Sequence, residues 1–405
     1  MNFKIIIIGS GIAAISAIKA IREVDASSVI HLIGQEKDYP YKRIRLSKDL
    51  FDSLEENKLL IEKKEWYEKN NIRLYLGTKA IKIDIDQHIV FMDNGKSIEF
   101  DKLLFASGAR NNTPPIEGIN KAGVYTLRTL EDAKEIKSKY ESKNSIVQIG
   151  GGILGLELVW NLYKKGKKLV IAEIAPRLMP RQLDEKGSKV LLNIIESFGI
   201  KVLLNTGVTK ITGKDSVEQI ETSTGDRIYC DMVIYSAGTR CNTDIVKGSK
   251  IITDKGIIVN DKMETNIENV YAAGDVAEFD SMVVGLWNIA VNQGKTAGYN
   301  IVGNSNVYKN IIPLAAMNAF NISLFSMGLI DEQKCSNVLI DEDKQETNYI
   351  KVFINEKRVV GAILIGNTVN TLLLKSAIEK QIVLENMDFN NTSVKAIFEK
   401  LKSIK

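Results

Sequence analysis

Two glycine-rich turns have the residue types and spacing needed to hold a phosphate. Gly9-Ser10-Gly11-Ile12-Ala13-Ala14 follows the apolar run Ile5-Ile6-Ile7-Ile8. Gly150-Gly151-Gly152-Ile153-Leu154-Gly155 follows Ile146-Val147-Gln148-Ile149. Both fit G-x-G-x-x-G/A between a strand and a helix. The first glycine permits a tight turn, and the second lets a pyrophosphate approach the backbone. The small last residue lets helix and strand pack closely. The helix N-terminus behind each turn carries roughly half a positive charge, which suits phosphate. Ile12, Ile15, Ile18 and Ile21 form a buried stripe in one helix, and Leu156, Leu158, Val159 and Leu162 continue the second turn as a helix. Both turns read as dinucleotide cradles.

Acidic residues stand where a ribose would lie. After the first cradle the strand-like run 29–33 leads to Gln35 and Glu36, and Glu36 is 27 residues past Gly9. Either side chain can accept hydrogen bonds from a ribose. After the second, the run 169–172 ends at Glu173, 23 residues past Gly150. That is the position expected to hold a 2′-hydroxyl, and a carboxylate there repels the 2′-phosphate of NADPH. NADH is therefore favoured, while Arg177 and Arg181 keep NADPH open. Glu157, read as lying in the first turn of the second helix, is either a favourable N-terminal charge or a group that orients a nicotinamide. His31 sits inside a strand and reads as a buried structural histidine.

Other runs position these sites. Residues 102–106 end in Ala106-Ser107-Gly108, residues 232–236 in Ala237-Gly238, and residues 269–273 in Gly274-Asp275. Asn111-Asn112-Thr113-Pro114-Pro115 reads as a crossing between domains. From about Pro313 the pattern changes. Residues 352–354 and 359–365 flank a polar turn, which predicts a hairpin, and helical periodicity covers 371–380 and 394–404. The expected fold is α/β, with two Rossmann-like dinucleotide-binding domains and a small α+β C-terminal domain. The boundaries predicted are 1–111 with 237–312 for the first nucleotide domain, 112–236 for the second and 313–405 for the tail.

Composition narrows the class. The chain has 405 residues, of which 44% are hydrophobic and 26% charged, and a net charge of +4. That charge is too small to imply nucleic acid, although it suits an acidic protein partner as well as a plain lysine-rich surface. No apolar run approaches the roughly 20 residues that span a bilayer. The apolar start lacks a cleavage site, so a cytoplasmic location is expected. Three cysteines and two histidines offer neither a disulfide framework nor a histidine-rich metal site.

Two such folds in this order resemble the pyridine nucleotide-disulfide oxidoreductase superfamily. The resemblance covers about residues 3 to 310 and, more loosely, the tail. It implies FAD on the first cradle and NAD(H) on the second. Tyr271-Ala272-Ala273-Gly274-Asp275 is similar to the second FAD motif, whose aspartate holds the ribityl chain. Ala106-Ser107-Gly108 and Gly238-Thr239-Arg240-Cys241-Asn242 resemble the family's linking turns, with Cys241 where proline is usual. Tyr39-Pro40-Tyr41-Lys42-Arg43-Ile44-Arg45-Leu46-Ser47-Lys48 resembles a segment of the rubredoxin and ferredoxin reductases, in which residues matching Arg43 and Lys48 lie against FAD. Pro180 to Asp184, Val259 to Thr265 and Gly274 to Phe279 are most similar to the clostridial NADH:rubredoxin oxidoreductases. The same resemblance implies backbone contact from Ala80 to the adenine end and Arg128 near the flavin. It also implies a helix starting at Trp287 aimed at the flavin pyrimidine. Trp287 as a core aromatic and Arg128 as an interdomain ion pair stay open.

The branch that uses thiols does not fit. Residues 36–50 contain no cysteine, no C-x-x-x-x-C pair occurs, and no histidine follows His88. The cysteines read as small buried hydrophobes. The expected reaction moves hydride from NADH to FAD, with Glu157 and Lys48 nearest the junction. Single electrons then pass to rubredoxin or a similar small acidic carrier. An NADH oxidase or diaphorase, and a redox-sensing FAD/NADH-binding protein, are the other readings. The tail is compatible with monomer or homodimer. Alkylation of every reactive thiol is expected to leave the rate of flavin bleaching by NADH unchanged in stopped flow. Loss of that phase on alkylation would restore a sulfur relay.

Overall fold

The computed structural model describes residues 3–51, 54–309, 311–343 and 347–404. It is an α/β protein of two compact units. The first unit comprises Met1–Asn112, Leu127–Glu135 and Gly238–Ile311. Its main sheet is parallel, in the order Val270–Ala272, Lys102–Phe105, Lys4–Ile8, Val29–Gly34, Ile72–Leu76. Ile5, Ile6 and Ile7 are fully buried at its centre. Such a strand is covered on both faces, which is why it reads as a continuous apolar run rather than an alternating one. His31 is also buried, with Nδ1 3.0 Å from the Tyr75 hydroxyl. Burial, reinforced by Arg73 and Lys4, lowers its pKa to about 4, so it is neutral at pH 7.

Helix Ile12–Val24 packs along helix Trp287–Ile301, and glycine makes this approach possible. A Cβ at Gly294 would lie 2.2 Å from the Ala13 carbonyl oxygen, and one at Gly298 2.3 Å from that of Ala17. Any side chain there would push the helices apart. The unit also contains the antiparallel strands Ala80–Asp84, Ile89–Met92 and Ser97–Glu99, strand Ala109–Asn111 paired with Thr239–Cys241, and the short parallel pair Ile257–Ile258 and Ala277–Glu278.

The second unit comprises Thr113–Thr126, Ile136–Ala237 and Ile312–Lys405. It repeats the parallel plan in the order Lys201–Leu203, Lys168–Ala172, Ser145–Ile149, Met232–Tyr235, Val124–Thr126. Its C-terminal part is a five-stranded antiparallel sheet, ordered Leu314–Ala319, Ile322–Gly328, Arg358–Gly366, Tyr349–Asn355, Asn337–Glu342. Helices Thr371–Glu379 and Val394–Ser403 contribute Leu374, Ala377, Ile397 and Phe398 to its core. The hairpin expected around Asn355–Arg358 is the Tyr349–Asn355/Arg358–Gly366 pair, turning at Glu356 and Lys357 in the left-handed region (φ 47° and 61°).

A second hairpin has no counterpart in the sequence reading. Strands Leu314–Ala319 and Ile322–Gly328 turn at Phe320 and Asn321, with φ of 54° and 58°. A bulky residue is disfavoured in that region. Phe320 is offset by its surroundings, since its ring is 1% exposed and lies 5.3 Å from Trp160 and 6.2 Å from Phe198.

A buried charge cluster ties the C-terminal sheet to helix Glu185–Ser197. Asp184 caps that helix by accepting the Gly187 N–H at 2.9 Å. Its other oxygen accepts the Tyr349 hydroxyl and the Lys351 ammonium, each at 2.7 Å. Lys351 is 2% exposed and also pairs with Glu332. Burial works to raise the Asp184 pKa, but hydrogen bonds from Lys351, Tyr349 and Gly187 outweigh it and hold the carboxyl below its usual value. For Lys351 burial pulls downward, and Asp184 and Glu332 outweigh it and raise the ammonium. The Asp184 contribution to stability is thus complete above the unfolded carboxyl pKa and is lost as pH falls through the depressed folded value. The Lys351 contribution is complete below the unfolded lysine pKa and is lost as pH rises through the raised folded value. Lys351→Met should cost about 3 kcal/mol in urea unfolding at pH 7. Its deficit against the parent should shrink in acid below the folded Asp184 pKa.

Candidate functional site

In the first unit Gly9 takes φ +109° and donates its N–H to the Ile33 carbonyl at 2.8 Å. A Cβ there would sit 2.1 Å from the Ala106 carbonyl oxygen, so the fold itself requires glycine. Gly11 is different. It is extended (φ −82°, ψ −174°), and a Cβ there would meet nothing within 4 Å. Neither backbone nor packing demands glycine at 11. The space it leaves is open to a ligand. Helix Ile12–Val24 begins with no side-chain cap and no acid in its first turn. Its first N–H groups therefore face that space without a protein carboxylate or hydroxyl capping them. Ile12 is partly buried, and Ala13 and Ala14 are buried.

The other first-site residues lie in the same unit. A Cβ on Gly274 would lie 2.9 Å from the Ala13 Cβ, and Asp275 follows it. Buried Gln293 fixes this turn by accepting the Gly274 N–H at 2.9 Å. The Ser107 hydroxyl donates to the Asn242 carbonyl at 3.2 Å, and the Asn242 amide returns a bond to the Ser107 carbonyl at 2.8 Å. Gly238 accepts the Asn112 N–H at 2.9 Å. Gly108 lies beside Arg128, its would-be Cβ 3.8 Å from a guanidinium nitrogen. Ala80 is buried at the start of its strand, and the preceding Gly77 and Thr78 N–H groups bind the Glu36 and Gly34 carbonyls, each at 2.9 Å. Lys48 is exposed, just past the Arg43–Arg45 turn. Trp287 opens its helix half-buried, above an N-terminus with no side-chain cap or first-turn acid.

A polar network crosses this unit. Tyr41 donates to one Glu36 oxygen at 2.6 Å, and Arg43 pairs with the other at 2.5 Å. Tyr41 also accepts the Leu130 N–H at 3.0 Å, and Arg43 donates to the Arg128 carbonyl. Arg128 donates to the Ala109 carbonyl and to the Asp275 carboxylate, both at 3.0 Å. Burial first, then Glu36, raises the Tyr41 pKa against the opposing charge of Arg43, so the phenol stays protonated. Both Glu36 oxygens are thus engaged, whereas Gln35 is exposed. Arg128 makes its ion pair inside the first unit, although the sequence reading placed it within 112–236. Gln293, the hydrogen bonds of Tyr41 and the choice of Asp275 as the partner of Arg128 were not announced by any motif.

The second unit repeats the cradle. Gly150 takes φ +98° and donates to the Ala172 carbonyl at 2.8 Å, and its would-be Cβ lies 2.5 Å from the Ser236 carbonyl oxygen. Gly152 is extended and, like Gly11, has nothing within 4 Å of a Cβ. Gly155 is required by packing, since its Cβ would lie 2.4 Å from the Gly150 carbonyl oxygen. Ile153 and Leu154 are partly exposed, and Arg181 is exposed. Glu173 is buried and accepts the Gly151 N–H at 2.6 Å and the Ala175 N–H at 2.8 Å, so it braces the glycine turn. Arg177 donates to the Pro180 carbonyl at 3.3 Å.

One expectation is corrected here. Helix Ile153–Tyr163 has no acid in its first turn, and Glu157 lies in the second turn, 5% exposed. The helix N-terminal field fades within the first turn, so the simple helix-charge reading of Glu157 loses its basis.

Cys230 is buried as expected, whereas Cys241 and Cys335 are only half-buried. Burial, with Asp231 beside it, pushes Cys230 up to about 12. Burial also raises Cys241, helped by Asp275, and Cys335, helped by Asp331 and Glu332. All three are free and stay protonated at neutral pH. Among the described residues no cluster of His, Cys, Asp and Glu is arranged to hold a metal, and no helix is long and apolar enough to cross a membrane.

Known proteins share this plan. Residues 313–382 match the rubredoxin NAD+ reductase C-terminal domain. NADH-rubredoxin oxidoreductase of Clostridium acetobutylicum is 34% identical over 384 residues, covering 95% of this chain and 96% of that protein. Rubredoxin-NAD(+) reductase of Pseudomonas putida is 30% identical over 309 residues, covering 74% of this chain and 80% of that protein. The crystal structure of the clostridial NADH:rubredoxin oxidoreductase superposes with a TM-score of 0.80 at 32% identity, covering 98% of this chain and all of that one (100%). With two open cradles on parallel sheets and a match over residues 3–294, the chain belongs to the pyridine nucleotide-disulphide oxidoreductase family.

Proposed function

We propose that the chain is an FAD-dependent NADH oxidoreductase that delivers single electrons to rubredoxin or a similar small iron protein. The observation that carries this reading is the pair of second-position glycines, Gly11 and Gly152. Each leaves open space in front of an uncapped helix N-terminus, and each stands on a different unit. We read 1–111 with 237–312 as the FAD domain, 112–236 as the NAD(H) domain and 313–405 as the C-terminal domain. The strap at 127–135 is lent to the first.

In this assignment Gly9, Gly11, Ile12, Ala13 and Ala14 hold the FAD pyrophosphate through backbone N–H groups. Gln35 takes the ribose, because its side chain is exposed while Glu36 is engaged. Ala80 meets the adenine through its backbone. Ser107, Gly108, Gly238 and Asp275 line the ribityl chain, and Asp275 exchanges part of its bond to Arg128 for a ribityl hydroxyl. Arg43, Lys48, Arg128 and the Trp287 helix N-terminus supply positive potential near the flavin, which favours its reduced anionic form. On the second unit Gly150, Gly152, Ile153, Leu154 and Gly155 hold the NADH pyrophosphate, and Glu173 accepts from the ribose. Glu157 orients the nicotinamide, and Arg177 and Arg181 flank the adenosine end.

When bound, the flavin supplies a hydride acceptor that can return electrons one at a time. The chain's own task is to bind, orient and exclude competitors. Burial raises all three thiols, which disfavours the thiolate that a sulfur relay would need. A small acidic iron protein fits the net charge of +4.

Stopped-flow oxidation of the NADH-reduced protein should be faster with rubredoxin than with oxygen by orders of magnitude. That rate should fall as salt rises and the Debye length shrinks from ~30 Å at 0.01 M to ~3 Å at 1 M. Oxygen as the faster acceptor would overturn the assignment of partner, and a flat salt response would remove the electrostatic one. Gly152→Val should weaken NADH binding by roughly 100-fold, about 2.7 kcal/mol, with the yellow colour retained. Gly11→Val should yield a folded, colourless protein.

A further inference from the structure

Glu36 lies at the edge of the first cradle, but its hydrogen bonds lead elsewhere. We infer that Glu36 is a positioning residue, which sets Arg128 against the flavin end of the site through Tyr41 and Arg43. This rests on the FAD assignment above. The backbone of Glu36 is pinned by the Gly77 N–H at 2.9 Å. Its two carboxylate oxygens divide between Tyr41 and Arg43, both of which continue into the strap at 127–135. Tyr41 is 6% exposed and accepts the Leu130 N–H, and the second Arg43 nitrogen reaches the Arg128 carbonyl.

The same strap is also held to this unit by the Arg128 guanidinium, on Ala109 and Asp275, and by Lys134 on Asp38 at 3.2 Å. The start of the strap is stiff. Asp132 accepts the Arg128 and Thr129 N–H groups at 2.8 Å, and its own N–H returns to the Thr129 hydroxyl at 3.1 Å, a reciprocal cap. With this stiff turn anchored at its carbonyl by Arg43 and at Leu130 by Tyr41, the Arg128 side chain reaches Ala109 and Asp275. Tyr41 needs an acceptor to fix its hydroxyl hydrogen, and Arg43 needs a counter-charge to keep its fork in place. Glu36 provides both, so its loss releases two anchors at once.

The test uses the purified full-length chain, stripped of flavin and titrated with FAD and, separately, with ADP. ADP occupies only the adenosine half of the site. Glu36→Gln and Tyr41→Phe should bind ADP within about twofold of the parent, bind FAD about tenfold more weakly, and shift the flavin absorption band. The double variant should add little to either single one, because both act on the same path. Gln35→Leu should weaken ADP and FAD alike. Tyr41→Phe keeps the ring, so the result stands even where Glu36→Gln fails to fold by circular dichroism. Equal loss of ADP and FAD in Glu36→Gln would make Glu36 a ribose ligand and overturn the inference. So would parental FAD affinity and spectrum in Tyr41→Phe. A parent chain that takes up ADP but no FAD would instead sink the FAD assignment, and this inference with it.

Discussion

A carbonyl oxygen stands 2.1 Å from where a side chain at residue 9 would begin, and another 2.5 Å from the same point at residue 150. The rest of both sites depends on this pair of exclusions. Each forces glycine with a positive φ, and that turn carries the chain off the end of a central strand into a helix. The helix then starts with its N–H groups pointing outward over the sheet edge. A dianionic pyrophosphate is poorly held by lysines on flexible stems, which lose entropy on binding. Backbone N–H groups fixed by a helix on a buried parallel sheet are organised beforehand and lose little. The all-isoleucine strand 5–8 and the Gly294 and Gly298 contacts serve that end by locking the helix in place.

Around these backbone cradles the charged side chains act mainly as ties. Glu173 braces the second glycine turn from behind, and Asp275 and Arg128 satisfy each other beside the first. In each case a group suited to meeting a ligand hydroxyl also has a partner within the protein. A site built this way holds its shape before the ligand arrives, and ligand binding becomes an exchange of hydrogen bonds.

How much of this was legible from the sequence depends on the range over which each feature is decided. The glycine turns, their flanking strands and the paired parallel sheets follow from local sterics and apolar runs, and they lie where the pattern put them. The role of Tyr41 was not legible, because its partner on the strap is 89 residues away and is a backbone N–H that no residue type announces. The tie between the strap and the first unit was not legible for the same reason, since Arg128 is held by Asp275, 147 residues away. Strand Leu314–Ala319 is rich in alanine, a helix former, and its turn uses Phe320 rather than Asn-Gly. Burial against Trp160 and Phe198 decides that conformation, and burial is a tertiary fact. Glu157 was misplaced by one turn because the helix begins at Ile153, two residues before the last glycine of the motif, which puts Glu157 fifth in it.

The tip of that alanine-rich hairpin has a consequence for how such proteins can be assembled. Phe320 completes an aromatic group whose other members, Trp160, Tyr163 and Phe198, come from the part of the same unit built on the parallel sheet. Trp160 and Tyr163 lie on helix Ile153–Tyr163, which follows the second glycine turn. Removing the C-terminal sheet would uncover a patch of rings on the back of that helix. The two parts are therefore expected to be inherited and exchanged together, as one cooperative block, however separable they look as lengths of chain.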